Sequence, residues 1–235
     1  FSYVVAWLSG KLSLSGISYE TALKATDKSK MRRVFEENNV PSPKFIVAEK
    51  DMSGDLPVEE LGFPLVVKPV DSMGGRGTVK ALEKGSLKKA IENALFHSRS
   101  GKAIIEQYIE GPEFSLDAVV KNGEIHICGI ADRHIFFPPY FIEMGHTMPS
   151  VHSSDIQKSV IDVFCRGIKA IGIDNGAAKG DIKYSDKGAV VGEIAARLSG
   201  GYMSGWTFPY STGFSVISAA IDIATGIDPG KIEYS

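Results

Sequence analysis

The sequence predicts an α+β chain in which antiparallel hairpins alternate with amphipathic helices, and three stretches carry that prediction. The first is KGDIKYSDKGAVVGEIAARLSGG at 179–201, two strand-like runs separated by Asp186, Lys187 and Gly188. A three-residue loop ending in a glycine able to take positive φ closes a hairpin. The second is EFSLDAVV, followed by Asn122-Gly123 and EIHICGIADRH, a second hairpin on a tight turn. The third is the helical spacing of Ile156, Val160, Phe164, Ile168 and Ile171, which marks a helix from about Asp155 to Ile171.

The bulk composition bounds what such a chain does. With 235 residues, 43% hydrophobic, 23% charged and a formal net charge of −2, it can bury a sizeable core as one large domain or two small ones. Lysines and arginines are dispersed among a matching number of acids, so the electrostatic footprint of a nucleic-acid binder is missing. No apolar run approaches the ~20 residues needed to span a bilayer, so no membrane partner is expected. The opening FSYVVAWLSG has no basic region and no small-residue cleavage site, which argues against a signal peptide. It starts inside an apolar segment without Met, and preceding sequence is expected to be missing. Cys128 and Cys165 are isolated in apolar patterns and are expected to be buried thiols in a reducing cytoplasm.

Taken in order, residues 1–25 read as a short helix and an extended piece. Asp27 opens a helix with Met31, Val34, Phe35 and Val40 on its buried stripe, and Asn39 ends it before Pro41 and Pro43. Lys28 and Lys30 lie in its first turn, where the helix dipole disfavours cations, so they are either surface lysines or charges kept for a phosphate. Lys44–Ala48 reads as a strand, Val58–Leu61 as a helical turn, and PLVVKP at 64–69 as a strand with Lys68 near its end. The loop DSMGGRGT then leads into a strand at Thr78–Leu82. Its glycines let backbone N–H groups bend towards an anion and Arg76 adds charge, although a plain turn explains the same letters. The spacing fits neither a P-loop nor a dinucleotide fingerprint, and strand, glycine loop, strand describes a flap over a nucleotide. Ser86 is expected to cap a helix to about His97, and AIIEQY at 103–108 to form a strand. Along 113–118, Glu113, Ser115 and Asp117 alternate with apolar residues and give one face polar enough to line a cleft. Residues 134–150, with three prolines, read as an irregular loop carrying Glu143 and His146, and 214–225 as a last amphipathic helix.

The hairpin at 179–197 concentrates the chemistry. If the loop has three residues, Ser185 faces Ala189, and counting back by twos sets Asp181 opposite Glu193. Carboxylates about 5 Å apart repel by roughly 3 kcal/mol at an effective dielectric near 20. A proton, neighbouring lysines or a divalent cation would relieve that, and oxygen-only ligands favour Mg²⁺ over zinc. Arg197 falls on the same face and could clamp an oxyanion. Lys179 and Lys183 share that face too, so a solvated, charge-alternating hairpin is the competing explanation.

Five ordered motifs together resemble the ATP-grasp superfamily, in its carboxylate–amine ligase and carbamoyl-phosphate-synthase-like branch. They are ATDKSKMR at 25–32, PLVVKPVDSMGGRG at 64–77, AIIEQYIEGPEFSLD at 103–117, FIEMGHTMPS at 141–150 and GDIKYSDKGAVVGEIAARLSGG at 180–201. The resemblance runs from about residue 14 to 228. It implies two α+β subdomains gripping ATP in a cleft between them, with a Rossmann-like domain before them. It also implies three divisions: 1–44 as the end of a preceding domain and a linking helix, 45–107 as a small subdomain with the flap, and 108–235 as a large subdomain with the metal-binding hairpin.

The resemblance assigns roles residue by residue. Lys28 and Lys68 resemble the phosphate-contacting lysines, and Ser72, Gly74, Gly75, Arg76 and Gly77 the glycine-rich flap. Glu106, Gln107, Ile109 and Glu113 resemble the hinge that meets adenine and ribose. Asp181 and Glu193 resemble the metal-bridging acids, and Arg197 the arginine that acts with Lys68 on the reacting phosphoryl group. Glu143, His146, Gly200 and Gly201 lie in stretches that resemble acceptor-substrate loops. The implied cofactors are ATP and Mg²⁺, with Mn²⁺ as a substitute, and the implied partners are a small-molecule carboxylate and an amine, in a monomer or homo-oligomer. Two departures stand out: Asp181 where the family usually has Glu, and Ala195 where it usually has Asn. Two alternatives remain open, a module phosphorylating bicarbonate as in carbamoyl-phosphate synthase or biotin carboxylase, and a non-catalytic nucleotide-binding module.

Overall fold

In the computed structural model, which describes residues 2–50 and 56–230, strands close in sequence pair into two separate antiparallel sheets. Three helices come first: α1 (Ser2–Lys11), α2 (Tyr19–Thr26) and α3 (Lys28–Glu37). The smaller sheet holds β1 (Phe45–Glu49), β2 (Leu65–Pro69), β3 (Val79–Ala81) and β4 (Lys102–Gln107) in the order β1-β4-β2-β3. Helix α4 (Lys84–His97) covers one of its faces, burying Leu87, Ala90 and Ala94 against Leu65, Val67, Ala81 and Ile105. The larger sheet holds β5 (Glu113–Lys121), β6 (Glu124–Phe136), β7 (Ile142–Thr147), β8 (Gly176–Ser185) and β9 (Gly188–Ala195) in the order β7-β6-β5-β8-β9.

The alternation along β5 shows how the larger sheet is used. Phe114, Leu116, Ala118 and Val120 face a core built with Phe164 and Ile168 of α5 (Ser154–Ile171) and with Met31 and Phe35 of α3. On the other face, Val119 is covered by Phe208 of α6 (Phe208–Thr212) and by Val216 and Ile223 of α7 (Val216–Ala224). Glu113 and Ser115, further up the same face, are left to the cleft, and Asp117 between them and Val119 is buried. A period of two thus divides one strand between a hydrophobic core and a polar site. Residues 25–40, read from sequence as linking, are packed into the large-sheet core through Ala25, Met31, Phe35 and Val40.

Four local expectations are corrected. The extended piece before residue 25 is α2, whose Ser18 cap accepts from the Thr21 amide. Helix α4 begins at Lys84 after Glu83, and the Ser86 hydroxyl donates back to the Glu83 carbonyl at 2.8 Å instead of capping. The stretch 134–150 is not an irregular loop: β6 runs on to Phe136 and β7 pairs with it, His146 opposite Arg133. The prolines sit outside the paired residues, at 138, 139 and 149, which is where a ladder tolerates them. The hairpin after Ser185 turns on two residues, not three. Residues 1, 51–55 and 231–235, although within the three divisions read from sequence, lie outside the described residues. Among the described residues no helix is long and apolar enough to cross a membrane.

Phe164 is fully buried, and a Cβ at Gly180 on β8 would collide with its ring, so aromatic and glycine fill one site between α5 and the sheet. Phe164→Ala is expected to destabilise the chain by about 3–5 kcal/mol. Urea unfolding followed by circular dichroism checks this, with the midpoint falling and the slope unchanged.

Candidate active site

Asp181 and Glu193 do face each other, by a route the sequence reading did not follow. The hairpin register starts with Ser185 opposite Gly188 and continues through Tyr184 and Ala189, Lys183 and Val190, Ile182 and Val191. Carried further, it would set Asp181 against Gly192 and turn Glu193 to the core side of the sheet. A bulge inserts Gly192 into β9, and Asp181 then pairs with Glu193. The shorter turn and the extra residue cancel, which is why a count by twos from the wrong turn reached the right pair. The core side records the slip: the buried residues are Ala189, Val191 and Ile194, spaced by two and then by three. Glycine is required at the bulge, because a Cβ there would stand 2.9 Å from the Asp181 carbonyl oxygen.

Cations converge on the two acids from four elements. Lys179 of β8 contacts Asp181 Oδ1 directly, and Arg133 of β6 reaches the same oxygen at 3.2 Å. Lys28, the first residue of α3, lies 3.8 Å from Glu193 and donates to the Ser72 carbonyl at 2.8 Å. Burial pushes both carboxyls up, but Lys179 and Arg133 at Asp181, and Lys28 and Lys68 at Glu193, more than offset it and hold both below their ordinary values. Arg133 also pairs with Glu113 at 3.2 Å and with Glu143 of β7, while Lys183 bonds Glu113 at 3.0 Å. His146 Nε2 lies 3.8 Å from Glu143.

Across the cleft Glu106 has a role the sequence reading did not give it. Its carboxylate, 3% exposed, is held at 2.8 Å by Arg32 Nε and at 2.8 Å by Lys68 Nζ. That side chain anchors Lys68 at the wall of the cleft. Burial lowers the Lys68 ammonium, with Glu106 opposing the shift and Arg32 and Lys28 reinforcing it.

A cavity of about 880 Å³ lies between the sheets, lined from both sides. Of the predicted residues, Lys28, Lys68, Ser72, Gly74, Gly75 and Glu106 line it, as do Gln107, Ile109 and Glu113. So do Glu143, His146, Asp181, Glu193, Gly200 and Gly201. Arg197 also lines it, although β9 ends at Ala195 and its NH1 donates to the Leu198 carbonyl at 2.9 Å. Arg76 and Gly77 are not in the lining: Arg76 is exposed and donates to the Met73 carbonyl, and a Cβ at Gly77 would press on His97 and Pro69. Gly77 therefore packs the root of the loop.

Sequence reasoning missed Arg32, Arg133 and Asp117 as site residues. Arg32 was signalled by its place one helical turn after Lys28. Arg133 was not, because a bulge at Cys128 in β6 moves it opposite Glu113 where a count from the Asn122-Gly123 turn gives Asp132. Asp117, fully buried, accepts from the Ser199 amide at 3.3 Å and from the hydroxyls of Ser199 and Ser204, and so pins the loop carrying Gly200 and Gly201. Burial raises its carboxyl, and the serine hydrogen bonds only partly oppose that.

Among the described residues no three acidic, histidine or cysteine side chains form a ligand set by themselves. Asp181 and Glu193 supply carboxylate oxygens from adjacent strands into the cleft. That donor set suits a hard divalent cation whose other positions are filled by phosphate and water. The charged lining counts seven lysines and arginines against five carboxylates, a positive surplus in a chain of net charge −2. A cleft with that balance attracts an anion.

A D-alanine–D-alanine ligase of Neisseria gonorrhoeae is 30% identical over 225 residues, covering 90% of this chain and 69% of the relative. The carbamoyl phosphate synthase large chain of Clostridium acetobutylicum is 25% identical over 229 residues, 95% of this chain but 21% of that one. The crystal structure of an L-amino acid ligase from Bacillus licheniformis superposes with a TM-score of 0.83 at 22% identity, covering 99% of this chain and 57% of that one, a likeness of fold. The chain spans between 21% and 58% of the length of the first curated relatives it matches. Residues 61–205 match the model of the ATP-grasp domain, and the chain belongs to that family.

Proposed function

We propose that this chain carries the nucleotide-gripping and phosphoryl-transfer machinery of an ATP-dependent ligase that joins a small carboxylate to an amine through an acylphosphate, releasing ADP. The observation that carries the proposal is the convergence, in one cleft, of Lys68 and Lys28 with the paired carboxylates Asp181 and Glu193.

Each side chain has a task that follows from its position. Lys68, fixed by Glu106, and Lys28, fixed at the Ser72 carbonyl, neutralise phosphate oxygens. Gly74 and Gly75, both at positive φ, let the loop over the cleft turn its amides inward and exclude water from the acylphosphate. Gln107 and Ile109 lie where an adenine edge meets the strand end, and Glu113 where a ribose would follow. Asp181 and Glu193 would hold Mg²⁺, for which Mn²⁺ can substitute; when bound, the metal neutralises triphosphate charge and orients the transferring group. Arg197, at the end of the hairpin, stabilises charge on the group in transfer. Glu143 and His146 on β7, with Gly200 and Gly201 opposite, bound the acceptor end, where the carboxylate and then the amine are aligned. Ala195 brings no donor oxygen, and Lys179 stands opposite it in the ladder, so part of the charge a second ion would supply comes from an ammonium.

The similarity to a carbamoyl phosphate synthase chain supports a second reading, in which bicarbonate is the carboxylate phosphorylated. Bicarbonate-stimulated ADP release without an amino acid would favour it, and ADP release dependent on an amino acid would favour the first.

Three results are expected. Glu193→Ala should abolish ADP release while far-UV circular dichroism stays as in the wild type; retained ADP release would count against the metal role. The alkaline limb of kcat/KM for ATP should fall below the ordinary lysine value of about 10.4, because burial of Lys68 favours its neutral form. Glu106→Gln, which removes the opposing negative charge, should move that limb to still lower pH.

A further inference from the structure

Arg32 is the most buried cation in the cleft, 1% exposed, and it touches both sheets. Its Nε donates to Glu106 on β4 of the smaller sheet at 2.8 Å. Its NH2 donates to the carbonyl of Gly192, the bulged residue of β9 in the larger sheet, at 2.5 Å. Its NH1 is buried without a partner. A buried ion pair is weak evidence of a stabilising role, since desolvation offsets much of the attraction. A guanidinium has another property: it is a planar fork whose donors keep fixed relative directions.

We infer that Arg32 is a positioning residue, which holds the Gly192 bulge, and with it the Glu193 carboxylate, in register with Lys68 on the opposite side of the cleft. The inference rests on the proposed role of Glu193 as a metal ligand. Without the bulge Glu193 would point to the core face. The extra residue of a bulge leaves the regular ladder, and its carbonyl needs a donor from elsewhere. Arg32 is that donor. The Nε of the same plane fixes Glu106, and Glu106 holds Lys68. Two groups that act on one triphosphate, from different sheets, are thus referred to a single rigid part. A lysine at position 32 keeps a charge for Glu106 but has no second donor in a fixed direction for the Gly192 carbonyl.

The test is the affinity for the non-hydrolysable analogue AMP-PNP, measured by calorimetry in EDTA and again with Mn²⁺. In Arg32→Lys, the enhancement by Mn²⁺ is expected to fall about tenfold, the scale of losing an outer partner of a metal ligand, and to fall by a larger factor than the affinity in EDTA. A merely structural role would lower both affinities together or neither, and either outcome overturns the inference. Should Arg32→Lys not fold, the isosteric Glu106→Gln frees the guanidinium from its other side. It is expected to lower the affinity in EDTA through Lys68 and the Mn²⁺ enhancement through Arg32, and an unchanged enhancement overturns the inference. A wild-type chain that does not bind Mn²⁺ with AMP-PNP would sink the proposed function as well; wild-type binding unaffected by either variant would sink this inference alone.

Discussion

Two carboxylates that face each other on adjacent strands repel, and the architecture around the cleft is arranged to hold them there. At contact distance the repulsion is of the order of a few kcal/mol even in a well-screened site. The compensating charges cannot all come from the hairpin itself, whose local ammoniums are Lys179 and Lys183. They arrive from the start of α3, from β6 and from β2, elements far apart in sequence. Bringing them together is what closes two sheets over one cavity. The grip on the acids and the grip on an incoming anion are therefore made by overlapping sets of side chains.

Much of this was legible in the sequence. The β5–β6 hairpin followed from Asn122-Gly123, α5 from its apolar spacing, and the division of β5 from strict alternation. Most of the cleft residues were found because ordered motifs placed them. What local pattern could not give was contact at long range. Glu106 looks like a strand-end acid, and only the tertiary structure shows it wedged between Arg32 and Lys68. Asp117 reads as one polar letter in an alternating strand, and its serine partners lie more than 80 residues away. Edge strand β7 was hidden by prolines and aromatics that resemble a loop, since its pairing depends on a neighbour and not on its own propensity.

The β5–β6 and β8–β9 hairpins each carry an extra residue, at Cys128 and at Gly192, and both extra residues re-aim a charged side chain. Beyond them stand Arg133 and Glu193. A count from either turn gives the wrong neighbour at one place or another, because a single inserted residue inverts every face that follows. The signal was present in one case: a glycine inside an apolar strand run, with the buried positions spaced by three. In the other, a buried cysteine gave no such cue.

The crossing between the sheets is also fastened. Pro112 accepts from the Tyr184 amide at 3.0 Å, Ile109 accepts from Lys183 Nζ at 2.7 Å, and Gly111, at φ +129°, lies so close to the Tyr184 carbonyl that any side chain there would collide with it. The four residues 109–112 thus extend β5 along β8 and are not a free joint. Gln107 and Tyr108, whose amides donate to the carbonyls of Lys44 and Pro64 at 3.0 and 3.2 Å, are tied to the smaller sheet, so the chain changes allegiance within the single step from Tyr108 to Ile109, at the wall of the cleft.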